Sequence, residues 1–145
     1  MTRFAIQVVL ILMVLAAAWR FGARPEKAVA TIYATMLFLD VGKVMLVGQW
    51  DDGSYGSLVT FRFLLDLAAF VGVASVALLY DRWWTLWVGS AQLLALCAHL
   101  LKTVQAPLNP LVYSTMERWP VWIAIVVTGL GTYLHWTRNR RTGGI

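Results

Sequence analysis

Five ionisable side chains within the apolar part of this 145-residue chain are the residues whose chemistry most needs an explanation. Asp40 and Lys43 are three residues apart and Arg62 and Asp66 are four apart, so each pair lies on one face of a helix. His99 lies in another apolar segment, nearer the C-terminus. A charge at the centre of a bilayer costs about 2.5 to 3.5 kcal/mol on insertion scales, and such groups usually face protein or water. The pattern predicts one polar cluster in the outer leaflet that binds a ligand or an ion.

A structural interpretation of the same residues stands beside the functional one. Asp40 with Lys43, and Arg62 with Asp66, would neutralise each other within their own helices and lower the cost of insertion. His99 would then only reach the headgroups from the end of its helix. Spacing alone is compatible with both interpretations.

Other chemistries find little support in the sequence. A haem held by two histidines needs both ligands at similar depth, but His99 and His135 lie at opposite ends of their segments. Cys97 is the only cysteine, which excludes an intramolecular disulfide and a CxxC pair. HExxH, GxSxG and Gly-rich phosphate motifs are absent. For a lipid-modifying enzyme, Asp66, His99 and Glu117 are acid and base candidates without a fixed spacing. We therefore predict no catalytic residue, no cofactor and no metal site.

The composition identifies the environment that must position these side chains. Hydrophobic residues make up 60% of the chain and charged residues 13%, and the mean hydropathy is +0.70. A soluble domain of this length could not bury so much apolar surface. In lipid every backbone polar group must be paired within the protein, and long unbroken apolar runs achieve this as helices. The sequence predicts an all-α membrane protein, with residues 1–145 forming one compact helical bundle.

Five segments approach the 20 or so apolar residues that cross a bilayer. They run from Phe4 to Trp19, Ala28 to Gly48, Phe61 to Tyr80, Trp83 to Leu101, and Trp119 to Trp136. The second segment is interrupted by Asp40, Gly42 and Lys43, so a broken helix there and a bundle of four spans are alternatives. Prolines are expected to separate the last two spans, with 111–118 forming one or two surface turns and Pro120 in the first turn of the last helix.

Basic residues distinguish the two topologies. With four spans, five basic residues lie on one side of the membrane and six on the other, which is no bias. With five spans, seven lie on one side and three on the other: Arg20, Arg24, Lys27, Arg82, Arg138, Arg140 and Arg141 against Arg3, Lys102 and Arg118. The positive-inside rule thus favours five helices, with the N-terminus outside and the C-terminus in the cytoplasm.

The eight tryptophans support this topology because all of them lie near the ends of apolar segments, as in the aromatic belts of membrane proteins. In the five-span arrangement the inner face has Trp19, Trp83, Trp84, Trp87 and Trp136, and the outer face has Trp50, Trp119 and Trp122. The first segment also resembles a secretory signal. We interpret it as an uncleaved span because Arg20, Arg24 and Lys27 would retain its end inside.

The stretch DRWWTLWVGSAQLLALCAHLLK at 81–102 resembles small uncharacterised bacterial inner-membrane proteins. These have an Arg-Trp-Trp-x-Leu-Trp motif and a later Gln and His on the same helix. The resemblance covers the central and later spans. It implies a bacterial source and an inner-membrane location, and it supplies no established activity.

The function favoured by these patterns is that of a non-enzymatic accessory or interaction subunit of a membrane assembly. The alternative is a small homodimeric channel or transporter that uses the outer-leaflet polar cluster. Expected partners are membrane lipid and another membrane protein or a second copy of the chain. Topology and anionic lipid account for the net charge of +5, so no nucleic-acid partner is predicted.

Overall fold

The computed structural model describes residues 2–47, 54–103 and 110–142, with side chains described over 4–43, 45, 60–101 and 119–141. These residues form five helices and no strand: α1 Thr2–Phe21, α2 Arg24–Val47, α3 Ser54–Tyr80, α4 Trp83–Thr103 and α5 Pro110–Thr142. The predicted all-helical bundle is confirmed. The expectation for Trp50 lies outside the described residues.

Three of the helices are long and apolar enough to cross a membrane. Within the described ranges the qualifying stretches are Phe4–Phe21, Thr60–Tyr80 and Trp83–Leu101, in α1, α3 and α4. They coincide with three of the predicted segments. The chain thus has the helices that a membrane protein needs.

The helices form a closed ring in chain order. Each packs against its neighbours in sequence, α5 packs back against α1, and α2 also touches α5 across the ring. Short connections at residues 22–23 and 81–82 join antiparallel neighbours, and we call the end of the bundle that holds them the turn end. Because α2 contacts α1, α3 and α5, side chains on several of its faces point into protein.

The core forms around one face of α2. Val29 and Tyr33 pack with the α3 and α4 residues Val73, Trp84 and Val88. A second cluster joins α2 to α1 and α5, and it consists of Ile11, Ala34, Leu37 and Ile125. Small buried residues let the helix backbones approach closely at these contacts, as in other membrane bundles: Ala30, Ala34, Ala91 and Ala95.

The broken helix that was an alternative for the second segment is not observed. α2 is continuous from Arg24 to Val47, through Asp40, Gly42 and Lys43. One glycine in a helix interior costs only about 1 kcal/mol relative to alanine, which the packing of α2 against three helices offsets. The charged residues do not interrupt the helix because their side chains find partners beside it, as described below.

The predicted start of the last helix is also wrong. α5 begins at Pro110, so residues 111–118 belong to it and are not separate surface turns. Pro110 is well suited to a first helical position because its missing N–H would have no partner there. Pro120 lies inside the helix and is fully buried. An interior proline costs about 3 kcal/mol in a helix, and the packing of α5 against α4 and α1 compensates for it.

The turn between α3 and α4 places the tryptophan-rich start of α4. Asp81 has a φ of 47° and ends α3 in the left-handed region, a conformation that usually requires glycine. The next turn is closed by Thr85, whose backbone N–H and hydroxyl both donate to the carbonyl of Arg82. This fixes Trp84 so that its ring points into the core, where it is buried rather than at the surface of the predicted aromatic belt.

Candidate functional site

The five residues predicted to form one polar cluster belong to two separate groups of contacts. Asp66 and His99 are buried between α3 and α4. Asp40, Lys43 and Arg62 lie at the edge where α2 meets α3, and the Asp40 and Arg62 side chains are partly exposed. We call these two groups the buried network and the charged edge.

Asp66 is the centre of the buried network. Its Oδ2 lies 2.9 Å from Nε2 of His99. Its Oδ1 accepts a hydrogen bond of 2.9 Å from Nε2 of Gln92, and the same nitrogen donates to the main-chain carbonyl of Asp66 at 3.2 Å. Both carboxylate oxygens are therefore engaged, which is the condition under which a carboxylate is buried at acceptable cost.

Tyr33 extends the buried network to a third helix. Its hydroxyl donates to Oε1 of Gln92 at 3.0 Å, so α2 is joined to α4 through the same amide that joins α4 to α3. The reverse orientation of the Gln92 amide would point its oxygen at two acceptor oxygens of Asp66. The surroundings therefore determine the orientation of the Gln92 amide. The Tyr33 hydroxyl donates to its oxygen, and its nitrogen donates to Asp66.

Helical spacing explains why one carboxylate meets two side chains of α4. Gln92 and His99 are seven residues apart, which is two helical turns and therefore the same helix face. Asp66 lies opposite, between them. On α3, Phe63 is one turn from Asp66, and its ring meets the His99 imidazole edge-on at a centroid distance of 6.2 Å. The imidazole is thereby held from two directions.

The donor and acceptor roles in the buried pair depend on whether Asp66 is ionised. When Asp66 is ionised it can only accept hydrogen bonds, so Nε2 of His99 carries a proton and donates it. His99 and Gln92 then both donate to the carboxylate, from opposite sides. A histidine and an aspartate at 2.9 Å can exchange a proton, and proton relays in membrane proteins use such residues.

The charged edge is held by an ion pair between helices. Arg62 Nε lies 2.9 Å from Oδ1 of Asp40, and its Nη2 lies 3.4 Å from Oδ2. The Arg62 side chain is 46% exposed and that of Asp40 is 30% exposed. Lys43 places its ammonium over the Phe61 ring, 4.2 Å from the centroid. The pairs predicted within single helices are therefore wrong: Arg62 pairs with Asp40, and Asp66 pairs with His99.

Sequence reasoning missed two parts of the buried interior. Tyr33 was not predicted as a site residue, although its spacing from Val29 and Leu37 places it on the buried face of α2. Beyond Tyr33, towards the turn end, a cavity of about 10 Å³ is lined in part by Thr128 of α5, whose hydroxyl oxygen has no hydrogen-bond acceptor or donor among the described residues. No pattern in the sequence distinguishes this threonine from its neighbours.

Glu26 is a further buried group that was not predicted. It lies in the first turn of α2 and is only 2% exposed, and its Oε2 has no hydrogen-bond partner within the described part of the chain. Glycine at position 22 lets Glu26 lie against the turn. A Cβ on residue 22 would lie 2.9 Å from the Cβ of Glu26 and 2.6 Å from the carbonyl oxygen of Ala18. In the sequence Glu26 stands between Pro25 and Lys27, which is typical of an exposed helix start.

The described residues contain no group of three or more His, Cys, Asp or Glu side chains that could hold a metal ion. Comparisons of the chain with protein-family models, with curated proteins and with solved structures find no match. The resemblance of 81–102 to bacterial inner-membrane proteins stays a prediction. The fold and the site define a helical bundle with three candidate membrane spans and one buried polar network.

Proposed function

We propose that this chain is a multi-pass protein of the bacterial inner membrane, with five spans, its N-terminus outside and its C-terminus in the cytoplasm. The ring arrangement supports five spans because α2 and α5 lie alongside α1, α3 and α4. At about 1.5 Å per residue, the 24 residues of α2 and the 33 of α5 are long enough for a hydrocarbon layer of about 30 Å. The distribution of basic residues supports the orientation.

Within that membrane we propose a non-enzymatic role as an accessory subunit of a larger assembly. The observation that carries this proposal is the buried network, in which Tyr33 is hydrogen-bonded to Gln92, and Gln92 and His99 are both hydrogen-bonded to Asp66. Side chains that are hydrogen-bonded between three helices hold those helices together. They give the bundle one defined packing, which suits a protein whose task is to present a fixed surface to a partner.

The charged edge is the part of that surface that supports recognition of another membrane protein. Asp40 and Arg62 carry opposite charges at partly exposed positions on adjacent helices. Charged groups at the edge of an interface contribute mainly to the choice and orientation of a partner. An accessory subunit would use such a pair to select its position in an assembly.

The experiment that tests this role is purification of tagged protein from native membranes in a mild detergent, followed by mass spectrometry and a native mass measurement. One stoichiometric membrane partner is expected. Asp40→Asn should weaken its recovery, whereas Asp81→Asn, at an exposed carboxylate of the turn end, should not. Recovery of the chain only with itself would contradict the accessory role.

A second function is favoured by one specific observation, the presence of an ionisable pair at the centre of the bundle. Asp66 and His99 are buried within α3 and α4, both of which are candidate spans, and intramembrane ionisable groups are associated with proton and ion pathways. The rival proposal is a small homodimeric channel or transporter. Its test is flux into vesicles: Asp66→Asn would abolish it while the protein remained folded, whereas absence of flux in the unmodified protein would reject it.

A further inference from the structure

A groove between α4 and α5 near the turn end has a volume of about 260 Å³. Its lining is apolar and rich in tryptophan, and it comprises Trp83, Trp84, Trp87, Val127, Leu130, Gly131 and Leu134. In the orientation proposed above, it opens in the cytoplasmic leaflet. None of the groups in the buried network or the charged edge contributes to it.

Gly131 explains how the groove is formed. A Cβ at this position would lie 3.0 to 3.3 Å from three atoms of the Trp84 ring, so glycine lets that ring pack close to the backbone of α5. Trp84 is buried and provides the floor of the groove. Trp83 and Trp87 are 66% and 61% exposed and, being four residues apart, lie on one face of α4 beside it. The result is a fixed aromatic surface that faces the hydrocarbon.

At the end of the groove nearest the turn, Arg82 and Arg138 follow or precede lining residues in the sequence, and the exposed carboxylate of Asp81 lies beside Arg82 in the chain. Arg82 directly precedes Trp83, is partly buried, and forms no ion pair or cation–π contact within the described residues. On α5, Leu134 is the last lining residue and Arg138 follows one turn later. An apolar groove that leads to arginine has the polarity of a phospholipid, with a chain at one end and a phosphate at the other.

We propose that this groove is a binding site for an anionic phospholipid of the cytoplasmic leaflet, with an acyl chain along the tryptophans and the phosphate at Arg82. The apolar lining followed by arginine favours a lipid over a partner helix, because a phospholipid has an apolar chain that ends in an anionic headgroup. The inference rests on the membrane location proposed above but not on the accessory role.

The test is native mass spectrometry of the full-length protein in detergent, titrated with phosphatidylglycerol and, separately, with phosphatidylcholine of the same acyl chains. Tighter binding of phosphatidylglycerol is expected. Arg82→Gln should weaken it about five-fold, the factor that corresponds to roughly 1 kcal/mol for one arginine at an anionic headgroup. Arg24→Gln is the matched control, because it removes one arginine charge from the start of α2, at the same end of the bundle but outside the lining of the groove. It should leave the affinity unchanged.

A second variant tests the groove itself. Leu134→Trp adds bulk to the lining and should abolish binding of both lipids, whereas Leu78→Trp, at an 87% exposed position on α3, should not. Thermal unfolding of each variant without added lipid verifies that it is folded. Equal affinity for the two lipids would overturn the anionic site, and unchanged binding in Leu134→Trp would overturn the groove. A dimer that Leu134→Trp dissociates would overturn the lipid as occupant. If the chain were not in the membrane fraction at all, the location proposed above would be at fault.

Discussion

The buried network and the charged edge have similar residue types in very different settings. Each contains an aspartate paired with a basic side chain of a neighbouring helix at 2.9 Å. Asp66 is enclosed by three helices and both its oxygens are bound within the protein. The Asp40–Arg62 pair lies at the surface, where solvent or headgroups compete for the same atoms. Equal distances therefore do not mean equal contributions to stability.

The two pairs differ in their contribution to stability because a buried group that loses its partner cannot be solvated by water. Removing one member of a buried hydrogen-bonded pair leaves the other desolvated and without a partner, at a cost of about 1 to 3 kcal/mol for each such group. A pair at an exposed surface is worth about 0 to 1 kcal/mol because each partner can be solvated alone. We therefore expect the network to hold the bundle together, and we propose that the edge is available for contacts.

The largest effect is expected from Asp66→Ala. It would leave His99 and the Gln92 amide without their common acceptor in the interior of the bundle. Because two buried donors lose their acceptor, we expect a loss of about 3 kcal/mol in the free energy of unfolding, measured by denaturant titration in detergent micelles. The matched control is Asp40→Ala, which removes the same groups from the charged edge. Similar losses for the two variants would contradict the distinction between them.

A smaller effect is expected from Gln92→Leu, which keeps a similar volume but removes the amide. The Tyr33 hydroxyl and one oxygen of Asp66 would lose their partner, at a cost of about 1 to 3 kcal/mol. Tyr33→Phe combined with Gln92→Leu should cost less than the two single changes added together, because the second change removes a group that the first has left unpaired. Additive losses in the same titration would show that Tyr33 and Gln92 do not interact.

The sequence predicted the helices better than it predicted the contacts between them. Apolar length and the distribution of tryptophan indicated five helical segments, because each depends on residues close together in the chain. The pairing of Asp40 with Arg62 spans 22 residues and that of Asp66 with His99 spans 33, so both depend on how the helices pack. Spacing within one helix suggested the wrong partners for this reason.

Two features of the helices themselves also escaped prediction, each for a local reason. Pro120 resembles a helix start, yet α5 contains it because the packing of the whole helix outweighs the loss of one hydrogen bond. Glu26 resembles a surface residue at a helix start, yet it is buried beneath the turn at Gly22. Both outcomes depend on neighbouring helices that no local pattern records.

Substitution of two glycines by alanine should have opposite effects on stability in the interior and near the charged edge. Gly131→Ala would force the Trp84 ring to move, so we expect a loss of about 1 to 3 kcal/mol from overpacking. A Cβ at Gly42, near the charged edge, would meet nothing within 4 Å. Gly42→Ala should therefore stabilise the protein by about 0.5 to 1 kcal/mol through helix propensity alone. Thermal unfolding of both variants in one detergent measures the difference, and a loss in Gly42→Ala would place that residue in a packed contact.

The smallest effect is expected when the charges of the edge are exchanged. Asp40→Arg combined with Arg62→Asp keeps an ion pair between α2 and α3 but reverses its direction, so the free energy of unfolding should change by less than about 1 kcal/mol. Either change alone places two like charges side by side and should cost more than the double exchange. Recovery of the membrane partner should nevertheless be lost in the double variant, since recognition depends on which helix carries which charge. A partner that still binds the exchanged protein would show that the direction of the charges at the edge does not contribute to recognition.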